Sequence, residues 1–217
     1  MIRALIYLII FIIYDVILQM NLLAHAFLSF DDPDILTGNM ISDFVKGKAK
    51  FNYPKAIQKG IYLHRLIDTF TDNHKSTAKA KEFFRPHYRL YSGAFVDIVY
   101  DHFLAIDDKQ FKEYNGLENF THITYHLLDT ETSWFPFPFQ SMFPHMKAQN
   151  WLYNYRLKEG IKNSFGGLVR RAVYLSESDA AFKIFEENYE SLRNCYVTFF
   201  PELKSYTFEK LSNLLAE

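Results

Sequence analysis

Only one cysteine occurs in the 217 residues, Cys195. It excludes an internal disulfide and a cysteine-built metal cluster, and it fits a reducing, cytoplasmic setting. A charge excess is also missing. The net charge is −1, so no global field draws the chain to nucleic acid, and any basic patch is local. There is no Gly-x-x-x-x-Gly-Lys phosphate loop: Gly38 and Gly47-Lys48 stand too far apart, and Gly47 reads as a helix stop. No Gly-x-Ser-x-Gly elbow occurs, which removes the esterase arrangement. Internal repeats, low-complexity tracts and Gly/Ser linkers are absent, and period-two alternation is scarce.

What remains is rich in rings and in helical spacing. Hydrophobic residues make up 49% and aromatics 18%, with 22 Phe and 15 Tyr, enough for one sizeable core. In 54–70, Pro54 opens a segment whose Ile57, Ile61, Leu63, Ile67 and Phe70 recur at helical intervals. In 178–199, Phe182, Phe185, Tyr189, Leu192, Tyr196 and Phe199 make an apolar stripe, with Pro201 ending or kinking it. Further helices are expected near 37–46, 76–84, 91–105, 117–128, 147–173 with a break at Gly166-Gly167, and 202–215. Three prolines in 129–145 predict an irregular loop packed on the body. The fold class is all-α, one compact irregular helical bundle covering 20–217.

Residues 1–19 differ from the rest. The apolar run Ala4–Tyr14 has eleven residues before Asp15, and a helix of that length spans about 16 Å, half a bilayer core. Met20 starts a sensible alternative N-terminus, so the segment reads as upstream sequence translated by mistake or as a weak membrane anchor. A cleaved signal ranks below both, because no small-x-small site follows.

Acids and histidines lie inside apolar runs: His25 in "NLLAHAFL", Asp43 in "GNMISDFVKG", His64 and Asp68 in "YLHRLIDTF", Asp72 in "TDNH", and Asp97, Asp101 and His102 in "FVDIVYDHFLA". Buried carboxylates are costly unless paired. His64 and Asp68 share a helix face, as do Asp97 and Asp101, and like charges four apart destabilise a helix. A divalent cation would neutralise such a cluster. Imidazole with carboxylate and no thiolate suits Mn²⁺, Fe²⁺ or Mg²⁺, with zinc possible, and the expected chemistry is hydrolysis. The alternative is a satisfied polar network, with Asp43 or Asp72 as turn residues and Asp68 paired to Arg65. In "FGGLVRR", Arg170 and Arg171 read either as a solvated face or as a phosphate or acidic-partner contact.

The segments "MNLLAHAFLS", "GNMISDFVKG", "GIYLHRLIDTFTDNH", "FVDIVYDHFLA" and "WLYNYRLKEGIKNSFGGLVRR" occur in the order and at about the spacing of the acyl carrier protein phosphodiesterase family, which the chain resembles from Met20 to about Leu203. The resemblance implies an HD-domain-like, metal-dependent hydrolase that prefers manganese. Its substrate would be holo acyl carrier protein, cut at the 4′-phosphopantetheine–serine phosphodiester. The usual His-Asp pair would appear reversed, as Asp101-His102. The implied metal positions are Asp43, His64, Asp68, Asp97, Asp101 and His102, with His25 and Asp72 less defined. Asp68 or Asp97 would protonate the leaving group, and Arg65 would steady the phosphate. Carrier proteins are acidic, so Arg170, Arg171, Lys46 and Lys48 form the expected docking rim, and binding should weaken with salt. Two other functions fit the same residues: hydrolysis of a nucleotide or other small phosphodiester, and a non-catalytic helical binding module.

Overall fold

A computed structural model describes residues 22–216; the expectations for residues 1–19 lie outside them. Among the described residues the regular elements are all helical, in agreement with the expected class. They are α1 (Leu22–Phe27), α2 (Pro33–Ile41), α3 (Lys55–Asn73), α4 (Lys75–Tyr88), α5 (Ser92–Ala105), α6 (Gly116–Thr130), α7 (Phe137–Ala148), α8 (Trp151–Asn154), α9 (Lys158–Arg171), α10 (Asp179–Glu187) and α11 (Tyr189–Ala216), with short 3-10 turns at Ser42–Phe44, Gly47–Asn52, Arg89–Tyr91 and Thr132–Trp134. No described helix is long and apolar enough to cross a membrane.

Helix α5 is the axis of the bundle. Every residue from Ala94 to Ala105 is buried, with α1, α4, α9 and α11 packed around it. A helix enclosed on all sides needs no polar face, which is why this segment shows no apolar stripe. Its two aspartates and its histidine are therefore buried wherever they point.

Helices α2 and α3 cross at glycines. A Cβ on Gly38 would lie 2.1 Å from the Ile57 carbonyl, and one on Gly60 would lie 2.4 Å from the Ile35 carbonyl. Any side chain at either position would force the two backbones apart. This contact places Asn39 of α2 directly against His64 of α3. Helix α2 begins on a capping aspartate, Asp32, whose carboxylate accepts from Ile35 N at 3.0 Å, with Pro33 in the first turn.

Several boundaries differ from expectation. Residues 129–145 do not form an irregular loop: α7 starts there, because Pro136 is its N-cap and Pro138 lies in the first turn, where an N–H has no helical partner. Only Pro144 is interior. Phe139, Phe143 and Met146 are buried, and Phe139 packs on Phe44 beside Asp43, with ring centroids 5.6 Å apart. The 147–173 segment does not break at Gly166-Gly167, which lie inside α9. It breaks at Asn150, in the left-handed region at φ 47°, and after Asn154, whose carbonyl approaches Gly160 too closely for any Cβ there. The 178–199 stripe divides at Asn188, whose amide satisfies the Ile184 carbonyl at 2.9 Å. Pro201 sits within a continuous α11. Pro201 and Val197 are both exposed, so the Val197 carbonyl that loses its N–H partner is on the solvated side.

Candidate metal centre

His25 on α1 and His64 on α3 stack face to face, with ring centroids 3.9 Å apart and planes 15° from parallel. Both are buried. Asn39 sets their orientation. Its Nδ2 donates to the His25 carbonyl at 2.9 Å and to Ser29 Oγ at 3.1 Å. Its Oδ1 must then face His25 Nδ1, at 2.7 Å, and that nitrogen carries the hydrogen. The Asn39 backbone carbonyl faces His64 Nδ1 at 2.8 Å and can only accept, so His64 Nδ1 is also a donor. One residue thereby fixes the tautomer of both rings and turns both Nε2 atoms the same way.

Those two nitrogens meet Asp68. Its Oδ1 lies 3.3 Å from His25 Nε2 and its Oδ2 lies 3.1 Å from His64 Nε2. Asp43, from the turn after α2, brings Oδ1 to 3.2 Å from His64 Nε2. One donor atom from each of His25, His64 and Asp68 falls within 4.8 Å of the others. Despite its approach to Asp68, His25 Nε2 is buried without a hydrogen bond. A buried polar atom left in that state is costly, and a cation shared with His64 and Asp68 would satisfy it. Two imidazoles and a carboxylate, with a second carboxylate alongside, match the preferences of first-row divalent ions.

The charges are strongly coupled. Burial alone would lower the His64 pKa, but Asp68 and Asp43 outweigh it and raise it to about 10. Burial would raise Asp68, yet the charge of His64 holds it well below the usual carboxylate range. His25 is lowered by burial and by the neighbouring His64. Asp97 is pushed far the other way, by burial and then by the charges of Asp68 and Asp72. Two neighbouring carboxyls with opposite shifts are a common mark of divided acid–base roles.

The structure does not bring the whole expected set together. Asp101 and His102 are engaged elsewhere. Asp101 accepts from Leu23 N at 3.0 Å and Ala24 N at 2.8 Å, and Tyr155 hydrogen-bonds the same carboxylate. It caps the first turn of α1, two residues before His25. Burial pushes Asp101 up to about 8 against these three donors. His102 donates from Nδ1 to the Tyr155 carbonyl at 2.7 Å, and its Nε2 lies 3.0 Å from the Tyr189 hydroxyl. Neither ring nitrogen is left for a metal, and burial lowers its pKa. Asp72 is exposed and pairs with Lys81 at 2.7 Å. Arg65 donates to the Val45 carbonyl at 3.2 Å, which ties the Asp43 turn to α3. Lys46 and Lys48 are exposed just beyond that turn, whereas Arg170 and Arg171 border a cavity against α9.

Sequence reasoning missed Asn39 and Ser29, and it left His25 at the margin. A signal existed in an asparagine within "GNMIS", a helix-unfavourable residue among apolar neighbours.

A family profile described as acyl carrier protein phosphodiesterase matches residues 20–203. The chain is 29% identical over 191 residues to the acyl carrier protein phosphodiesterase of Salmonella paratyphi A, covering 88% of this chain and 99% of that protein. It is 31% identical over 195 residues to the protein of the same name from Photorhabdus laumondii subsp. laumondii, covering 89% and 96%. No solved structure matches.

Proposed function

The chain belongs to the acyl carrier protein phosphodiesterase family, and from that premise we propose that it hydrolyses the phosphodiester joining 4′-phosphopantetheine to a serine of holo acyl carrier protein, using a divalent cation held by His25, His64 and Asp68. The products are apo carrier protein and phosphopantetheine. The observation that carries the cation is the convergence of two tautomer-locked Nε2 atoms on one carboxylate, one of them without a hydrogen bond. Manganese is the ion proposed, on the nitrogen–oxygen donor set.

A cation bound there lowers the pKa of its water and polarises a phosphoryl oxygen. The remaining steps belong to the protein. Asn39 keeps both imidazoles aimed at the site, and Asp43 stands beside His64 as a further ligand or as the acceptor that orients it. Asp97 is buried and receives no hydrogen bond from the described residues. It is assigned as the acid that gives its proton to the departing serine oxygen, a role that needs a carboxyl kept neutral. Asp68, held ionised by the charge of His64, is unsuited to that role. Arg65 fixes the Asp43 turn and leaves the rest of its guanidinium for a phosphate oxygen. Lys46 and Lys48, exposed just beyond the Asp43 turn, are assigned to docking of the acidic carrier protein. Asp101 and His102 are assigned to structure, Asp101 by anchoring α1 and hence His25.

The test is direct. Purified protein is stripped with chelator, reloaded with Mn²⁺ and incubated with holo carrier protein, and the mass of the carrier is followed. Loss of the phosphopantetheine mass only after reloading is the expected result. An intact carrier in both conditions overturns the proposal, and turnover of nucleotide diesters in its place would redirect it to a small-molecule substrate.

A further inference from the structure

A cavity of about 410 Å³ opens against α5, α8 and α9, and none of the cation cluster's residues lines it. Its walls carry two guanidinium groups, Arg170 and Arg171, the amides of Gln149, Asn154 and Asn163, and no carboxylate. Consecutive helix residues ordinarily point about 100° apart. Here both heads fold back over bare backbone. A Cβ on Gly167 would lie 3.3 Å from Arg171 Nη1 and 3.7 Å from Arg170 Nη2, and one on Gly166 would lie 3.4 Å from Arg170 Nη1. The two glycines that look like a helix break in the sequence make a seat on which two cations share one spot.

That arrangement lacks a counter-charge. Neither arginine takes part in an ion pair among the described residues. Arg171 Nε is buried without an acceptor. Burial lowers the Arg171 pKa and Arg170 lowers it further, with Tyr155 opposing. A partly buried guanidinium that shares its seat with a second like charge is unfavourable unless an anion lies between them. A phosphomonoester, with about −1.5 to −2 charge and three acceptor oxygens, matches two guanidinium forks better than a single carboxylate does. A concave pocket of this volume suits a small molecule.

We propose that this cavity is a second, phosphate-binding site, in which Arg170 and Arg171 clasp a phosphomonoester while the amide side chains hold an amide-bearing body. The anion site stands independently of the hydrolase proposal. The choice of phosphopantetheine as its ligand rests on that proposal, since this product combines a phosphomonoester with an amide-containing arm.

The test is calorimetric titration of the full chain with 4′-phosphopantetheine, inorganic phosphate and pantetheine, repeated on Arg171→Gln, Arg170→Gln and Asp68→Asn. Phosphopantetheine should bind, each glutamine variant should weaken it by about 10- to 100-fold, and Asp68→Asn should leave it unchanged. Pantetheine should bind far more weakly. Inorganic phosphate binding as tightly as phosphopantetheine, with the same arginine dependence, upholds the anion site and makes free phosphate its ligand. No binding by either phosphate probe, or binding indifferent to both glutamine variants, overturns the proposal. Arg170 is exposed, so Arg170→Gln carries the test if Arg171→Gln fails to fold. A protein that binds phosphate but leaves carrier protein intact defeats the hydrolase proposal alone.

Discussion

Asp97 and Asp101 lie one turn apart on the same buried helix, and their surroundings are opposite. Asp101 has three donors: two backbone N–H groups of α1 and the Tyr155 hydroxyl. Asp97 has none among the described residues and feels the negative charges of Asp68 and Asp72. The same contrast runs through the histidines. His102 has partners on both ring nitrogens, whereas His25 has one on Nδ1 and none on Nε2. A buried polar group with full partners is explained by the fold. One without them calls for a partner from outside the chain, and at His25 the proposed cation would be that partner.

The largest effect should come from the side lacking partners. Asp68→Asn removes the carboxylate between the two Nε2 atoms. We expect a fall in kcat/KM of more than about 1000-fold, beyond the ~10–100-fold usual for changes one shell further out. Metal content should drop with it by elemental analysis, while the circular dichroism spectrum stays helical, and excess Mn²⁺ should not restore activity. Asp101→Ala should act in the other currency. It strands two buried N–H groups and a hydroxyl, and a stability loss of about 2–5 kcal/mol is expected in urea unfolding. Because Asp101 reaches the centre only by anchoring α1, saturating Mn²⁺ at low temperature should restore much of its activity. If Asp101→Ala resisted rescue as Asp68→Asn does, the division between the two carboxyls would fail, and Asp101 would return to the ligand set.

Asn39→Ala tests the link between the two regimes. It deletes the acceptor for His25 Nδ1–H but keeps the backbone carbonyl that serves His64. Metal affinity should weaken by about 10- to 100-fold, with competition against a fluorescent chelator as the measurement. Unchanged affinity would mean that ring orientation is set by packing alone.

The all-α class, the buried ring core and the presence of acids and imidazoles in apolar runs were legible, because helical period and composition report burial directly. Which of those groups meet was not. Asp97, Asp101 and His102 belong to one eleven-residue run, but α5 is surrounded, so its residues serve three different neighbours. His25 and Asn39, remote from one another along the chain, meet because α1 folds over α2, a contact that spacing along one helix cannot encode. The prolines of 129–145 misled for a local reason: two of the three stand at or before the second helical position, where proline costs little. Gly166-Gly167 misled because a helix tolerates glycine where the bare backbone is covered by other groups, here the two arginines.

The smallest effect is the most specific to the imidazole pair. Without metal, His64 keeps a proton up to about pH 10, where an unfolded histidine would lose it near ~6.5. A pKa raised in the folded state contributes stability that is fully present below about 6.5 and is lost as pH climbs toward 10. A cation ligated by His64 Nε2 must displace that proton. Mn²⁺ binding at pH 7.5 should therefore release about one proton, read from calorimetry in buffers of different ionisation enthalpy, and apparent affinity should rise about tenfold per pH unit while His64 stays protonated. His102, whose Nε2 is taken by Tyr189 and whose pKa is lowered, has no proton of this kind to give at neutral pH. A His64→Gln variant that still released a proton on binding would place the cation on some other group, and the contrast between the two sides of α5 would have to be redrawn.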